Sequence, residues 1–249
     1  MAFGFGRQLT VPHAAHYMWA RVVRFVLTRW ARLFPTEIDR LEAMVGPPGA
    51  WRVTQAWQER FLIRDAGVAP RHRILDIGCG PLRGGLPLIR WLDPGLYVGV
   101  DASLKAIEEA RRQVASNGLE TKRPVLVRSD DFGASQGLEG PFDLVWCFQV
   151  LYHLDDALLA MCLARIAAVL GPTGRAYGNV NTSRGEGRWA EFPFVRRDLD
   201  FYRRVAETAG LRVTDLGTLS ALSYPLWLAG HTNHLLRFDH VADRKSDPR

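Results

Sequence analysis

Lysine is almost missing from this chain: of 32 lysines and arginines in 249 residues, all but Lys105, Lys122 and Lys245 are arginine. The formal charge of +6 therefore reflects an arginine-rich composition and argues only weakly for a nucleic-acid partner. Cysteine is scarce. Cys79, Cys147 and Cys162 are odd in number and lack C-x-x-C spacing, which argues against a disulfide framework or a zinc site and fits a reducing, cytoplasmic setting. Long hydrophobic runs are missing as well. The longest charge-free stretch, 216–236, holds Pro225, two glycines, His231, Asn233 and His234, groups too costly to bury in lipid, so no membrane span is expected. The first apolar stretch is broken by prolines, histidines and arginines and does not read as a secretory signal.

What is present is an ordinary globular composition, 47% hydrophobic and 23% charged, long enough for one large domain with an extension. From residue 73 short aliphatic runs alternate with amphipathic ones, the pattern of a parallel sheet covered by helices. Strands are expected at 73–77, 96–100, 124–128, 142–148, 175–180, 211–217 and 233–238. Helices are expected at 103–116, 156–170 and 199–209, with Ser103, Asp155 and Asp198 as caps and Asn117-Gly118, Gly171-Pro172 and Gly210 as stops. Residues 1–68 read as a helical extension or cap, 69–240 as the main domain and 241–249 as a disordered tail. Within the extension, 17–34 form a helix with one apolar and one arginine face. The favoured reading is a helix packed on the domain with its arginines solvated; peripheral membrane contact, a pocket lid and a homodimer contact are the alternatives. A second helix is expected at 52–64, after Pro47-Pro48-Gly49.

Four glycines and a proline crowd residues 78–85, directly after the run RILDI. A strand that ends in glycines and turns into a helix can place backbone N–H groups against a ligand, with the helix's positive end behind them and Pro81 at the helix start. The dinucleotide fingerprint G-x-G-x-x-G fails, since position 83 is arginine. The pattern D-x-G-x-G is met by Asp76, Gly78 and Gly80, and a second acid, Asp101, ends the next strand, where a carboxylate can accept two ribose hydroxyls.

With LDIGCG, GVDAS, RSDDF, FDLVWCFQVLYHL, VLGPTGRAYGNV and FYRRVAETAGLRV in order and correctly spaced, residues 70–240 resemble the class I S-adenosylmethionine-dependent methyltransferases. The resemblance implies an α/β, Rossmann-like fold with seven strands, the last antiparallel between the fifth and sixth, and S-adenosyl-L-methionine as cofactor. It implies that Gly78 and Gly80 let the cofactor approach the backbone, with Asp76 near its amino group. Asp101, with Ala102 beside it, would hold the ribose, Asp130 or Asp131 the adenine amino group, and Phe132 the adenine ring. Phe148 and Gln149 would flank the transferable methyl. Arg83 would point to the methionine carboxylate or outward.

His153, beyond the fourth strand, is the candidate general base for a hydroxyl acceptor, with a backbone-bonded structural role as the alternative. Tyr152, Tyr224, Trp189 and His231 are candidate acceptor contacts, although His231 and His234 read first as structural. The stretch 181–197, basic, aromatic and glycine-containing, reads as a mobile pocket rim, or else as an aromatic clasp for the following helix. Asp155 and Asp156 read as a helix start rather than a metal site. The expectation is O-methylation of a small molecule, such as a carbohydrate or other natural product. A methyltransferase acting on RNA or on a lipid at a membrane surface, and a non-catalytic cofactor-binding partner protein, are the alternatives.

Overall fold

The computed structural model describes residues 36–46, 49–136, 138–182, 185–189, 192–225, 228 and 232–241, with the side chains of 185–189 and 192 outside that description. The amphipathic segment 17–34, His231 and residues 242–249 lie outside the described residues.

The chain divides into two compact units, residues 1–51 and 52–249. In the first, helix α1 (Glu37–Val45) opens on a capping box: Thr36 Oγ1 accepts from the Asp39 backbone, and Asp39 accepts from the Thr36 backbone. The buried Glu42 accepts backbone N–H groups from Gly49 and Trp51, which fixes the turn after the helix.

The second unit is built on a sheet of seven strands. These are β1 (Ile74–Ile77), β2 (Tyr97–Asp101), β3 (Val125–Arg128), β4 (Phe142–Cys147), β5 (Leu170–Asn181), β8 (Leu211–Thr218) and β9 (Asn233–His240). Their order is β3-β2-β1-β4-β5-β9-β8. The pairs from β3 to β5 are parallel, and β9 runs antiparallel between β5 and β8, as the resemblance implied. All four residues of β1 are buried, as expected for a central parallel strand covered on both faces. One face carries Ile74, Tyr97, Leu144, Trp146, Tyr177 and Leu235 beneath α2 (Trp51–Arg60), the π-helical turn Phe61–Asp65, α3 (Gly85–Trp91) and α4 (Leu104–Ser116). The other packs Leu75, Ile77, Val145, Ala176 and Phe238 against α5 (Asp156–Val169) and α6 (Leu199–Thr208).

The expected caps are in place. Ser103, Asp155 and Asp198 each accept the backbone N–H three residues on, opening α4, α5 and α6. The helix expected at 52–64 is α-helical only to Arg60 and then widens into the π-helical turn. Trp57 and Phe61 stack at 5.4 Å, and Trp57 Nε1 donates to the Leu222 carbonyl at 2.8 Å. Residues 57–62 thus join the sheet's own core rather than forming a separate cap.

Two further elements differ from the sequence reading. β5 begins at Leu170, straight out of α5, so Gly171-Pro172 lie inside the strand and not in a turn; a Cβ on Gly174 would stand 2.6 Å from the Phe142 carbonyl oxygen, so glycine lets β4 and β5 close up there. The segment read as a mobile rim is a β-hairpin, β6 (Gly185–Trp189) paired antiparallel with β7 (Phe192–Arg196), Trp189 opposite Phe192. Pairing satisfies its backbone, a solution that glycine and proline content had hidden.

Candidate active site

β1 ends at Ile77 and the chain turns through Gly78 at φ 71° and Gly80 at φ 54°, a region L side chains avoid. A Cβ at Gly78 would stand 2.3 Å from Val150 Cγ2, so the bend can exist only bare. Its donors, however, are turned inward. Gly78 and Cys79 N–H donate to the Val100 carbonyl at 2.8 and 3.0 Å, and Gly80 N–H donates to Asp101 Oδ2 at 2.9 Å. The expectation that these N–H groups face a ligand is corrected: they hold β1 to β2, and the bare α-carbon of Gly78 lets Val150 pack against the bend. Nor does a helix follow at once, because α3 starts only at Gly85 and Pro81 sits in the intervening turn. Gly84 and Gly85 serve packing. A Cβ on the first would meet Gln58 Oε1 at 2.3 Å, and on the second the Tyr97 hydroxyl at 2.1 Å.

Asp101 is a two-handed clamp. Oδ2 takes Gly80 N–H and Oδ1 takes Ser103 N–H at 2.8 Å, tying the bend to the start of α4. Burial raises its pKa above the usual carboxylate value, and the two N–H bonds oppose that. Each oxygen retains a second lone pair for a hydroxyl. The neighbouring Ala102 carbonyl accepts from Arg128 Nε at 3.2 Å. Asp76, 4% exposed, accepts from the Tyr97 hydroxyl at 2.6 Å. Burial pushes it to about 7, the Tyr97 bond opposes, and the charge of Asp101 adds to the rise.

After β3 the paired acids separate. Asp131 caps its own turn, accepting Ser129 Oγ at 2.7 Å and Ser135 N–H at 2.8 Å, and chiefly the Ser129 bond lowers its pKa to about 2. Asp130 is exposed and pairs with Arg128 of the edge strand β3 at 3.1 Å. Phe132, at φ 58°, packs its half-buried ring on the core face beneath α5.

Beyond β4 the site is built from distant pieces. Phe148 is buried in an aromatic stack, parallel to Trp146 at 5.3 Å and 5.4 Å from Trp57. Gln149, at φ 61°, accepts from Arg83 at 2.6 Å, and its N–H donates to Asn179 Oδ1. Asn179 in turn donates to Asn233 at 2.9 Å. Arg83 is thus buried and directed inward, which settles its direction against the outward reading. The Tyr152 ring lies 4.5 Å from His153 and 4.8 Å from Phe194 of the hairpin. Tyr224 meets Thr54 Oγ1 at 3.0 Å and stacks edge-on against Trp57. Burial raises both phenols above their ordinary value, opposed by the charge of Arg83.

His153 Nδ1 lies 2.7 Å from the Pro193 carbonyl. A carbonyl only accepts, so Nδ1 carries the proton and the basic lone pair falls on Nε2. Burial lowers its pKa below 6.5, and the Pro193 bond partly offsets this. His234 is held by both oxygens of Asp215 at 3.0 Å. Trp189 lies on β6, with its side chain outside the described set.

Tyr97, Val150 and Asn179 went unrecognised in the sequence. Tyr97 left a trace: with Gly99 and Asp101 it occupies alternate positions of one strand and so one face of the sheet. Among the described residues no group of three or more His, Cys, Asp or Glu could hold a metal, and no helix is long and apolar enough to cross a membrane.

Residues 74–174 match the family model of the methyltransferase domain. The ubiquinone biosynthesis O-methyltransferase of Aromatoleum aromaticum is 32% identical over 118 residues, 47% of each chain. Methyltransferase GfsG of Streptomyces halstedii is 29% identical over 207 residues, 77% of this chain and 67% of that one. The crystal structure of magnesium protoporphyrin IX methyltransferase from Synechocystis, with bound S-adenosylmethionine, superposes with a TM-score of 0.59 at 16% identity, covering 89% of this chain and 97% of that one. Residues 74–174 are therefore similar to the methyltransferase domain, and the chain shares the fold of a methyltransferase solved with S-adenosylmethionine bound. Its alignment spans about half the length of the Aromatoleum enzyme.

Proposed function

We propose that the chain transfers a methyl group from S-adenosylmethionine to a hydroxyl of a small molecule, with His153 as general base. The cofactor fits the residues present. Gly78 and Gly80 hold the positive-φ bend bare of side chains next to Asp101, Asp101 keeps lone pairs for two hydroxyls, Asp76 offers a carboxylate beneath the bend, and the exposed Asp130 suits the adenine amino group better than Asp131, which caps its own turn. The cofactor supplies a methyl already activated on sulfonium, so the protein's task is alignment and removal of one proton. The segment after β4 is suited to both, since Val150 packs on Gly78, Gln149 accepts from Arg83, and His153 follows three residues after Val150 in the same segment.

The observation that carries the hydroxyl reading is the His153–Pro193 bond. It holds the imidazole in the tautomer whose Nε2 can take a proton, and burial keeps the ring neutral at pH 7. The hydroxyl oxygen would take the methyl as its bond to the sulfonium sulfur breaks and a neutral thioether leaves, and Nε2 would accept the hydroxyl proton and pass it to solvent. The O-methyltransferase relative supports the choice of acceptor; an amine acceptor would need no such base once neutral.

His153→Asn is the discriminating variant, because the asparagine amide can still donate to the Pro193 carbonyl. Cofactor affinity should stay within about twofold, while kcat on a hydroxyl acceptor falls about 10²–10⁴-fold. In the wild type, kcat/KM should drop as pH falls through a value below 6.5, and that limb should vanish in the variant. Unchanged turnover in His153→Asn would remove His153 from the chemistry.

A further inference from the structure

The Tyr97–Asp76 pair is the part of the molecule that the reading above leaves unexplained. Tyr97 is 2% exposed and Asp76 4% exposed, and the hydroxyl donates to the carboxylate at 2.6 Å. The contact has been given room, because Gly85 lacks the side chain that would meet the Tyr97 hydroxyl at 2.1 Å. The register fixes it further, with Ile74 opposite Tyr97 and Asp76 opposite Gly99, so phenol and acid lie on the same face of adjacent strands. A buried phenol and a buried carboxylate sharing one bond form a polar element directly under the cofactor bend, where apolar packing would be cheaper.

We propose that Tyr97 is a positioning residue that holds Asp76 beneath the bend, and that the pair couples arrival of the cofactor's positive charge to release of a proton. This rests on the cofactor reading given above. The groups that share the electrostatic environment of Asp76 are Tyr97 and Asp101 on β2, Cys79 on the bend and Cys147 on β4. Burial raises the Tyr97 phenol and both thiols well above their ordinary values, so they stay neutral at physiological pH, whereas Asp76 sits at about 7. In the ligand-free protein Asp76 is therefore partly protonated near neutrality. A cation above it favours the carboxylate and expels the proton. Donation from Tyr97 favours the same charged form, so the phenol sets the pH at which the site becomes ready.

The sign follows. Affinity for S-adenosylmethionine should rise about three- to tenfold between pH 6 and pH 7.5 as the carboxylate forms, then level off. Stability of the ligand-free protein should run the other way. Asp76 takes up a proton on folding between its unfolded value near 3.8 and its folded value of about 7, so stability is lost as pH rises through that window.

The test is calorimetric titration of S-adenosylmethionine into the full chain at several pH values, in buffers of different ionisation heat, for wild type, Tyr97→Phe and Asp76→Asn. Subtracting the Asp76→Asn result removes protons that belong to the ligand. Wild type should release up to one proton near pH 7. Asp76→Asn should bind more weakly, with no protein-linked release. Tyr97→Phe should shift the affinity midpoint to higher pH, which a merely structural tyrosine would not do. Denaturant unfolding of each ligand-free variant against pH gives a second readout: the slope below pH 7 should be lost in Asp76→Asn. Cofactor binding in wild type with no proton release, or a Tyr97→Phe midpoint identical to wild type, would overturn the coupling while leaving the cofactor reading intact. No binding at any pH would instead overturn the cofactor reading itself.

Discussion

The side of the site proposed for the cofactor and the side proposed for the acceptor, with Arg83 and Gln149 at their boundary, are organised in opposite ways. On the cofactor side, carboxylates hold turns together: Asp101 takes the Gly80 and Ser103 N–H groups, and Asp131 takes the Ser129 hydroxyl and the Ser135 N–H. Each carboxylate completes a turn, so the cradle is rigid before anything binds. On the acceptor side, groups from far apart in the chain hold one another. Arg83 meets Gln149, Gln149 meets Asn179, Asn179 meets Asn233, and His153 meets Pro193. Such a network forms only after the sheet does. The contrast suggests a fixed slot for an unvarying cofactor beside a wall whose residues can be exchanged as the acceptor changes.

The sharpest way to break the first half is Gly78→Ala. Left-handed backbone costs about 1–2 kcal/mol, and the new methyl meets Val150, a β-branched side chain with little rotamer freedom. Cofactor affinity by calorimetry should fall about 100-fold or more, and Val150→Ala in the same chain should restore part of it. Asn179→Ala probes the other half. It strands the Gln149 N–H and the Asn233 amide, which should cost about 1–3 kcal/mol in denaturant unfolding. It should raise the acceptor KM while cofactor affinity changes less than about threefold. Comparable losses on both sides would erase the distinction drawn here. The smallest effect is expected at Arg203→Ala, away from both. Its exposed pairing with Asp200 should contribute about 0.5 kcal/mol or less, with activity unchanged.

The same contrast explains what could be read from the sequence. The cofactor side announced itself because its parts are close in sequence: Asp76 to Gly80, Asp101 to Ser103, and the caps of α4, α5 and α6 are all local patterns whose physics needs no tertiary context. Even there the reading erred in one respect, since burial turned the bend's N–H groups toward Val100 and Asp101. The acceptor side was legible only as candidates. Whether Arg83 points in or out depends on Gln149, 66 residues away. The anchoring of His153 depends on a proline carbonyl 40 residues on, in a hairpin whose glycines resemble a loop. Tyr97 read as a strand aromatic, and its partnership with Asp76 emerges only when β1 and β2 pair.

The central claim is that the clamp formed by Asp101 around the bend was made to receive the ribose of S-adenosylmethionine. Titration of that compound into wild type and Asp101→Ala, each first shown to be folded by circular dichroism, tests it directly. The account predicts saturable one-to-one binding in wild type and its loss in the variant, where Gly80 and Ser103 no longer share an acceptor and the hydroxyls have nothing to meet. Equal affinities in the two proteins, or no heat in either, would contradict it.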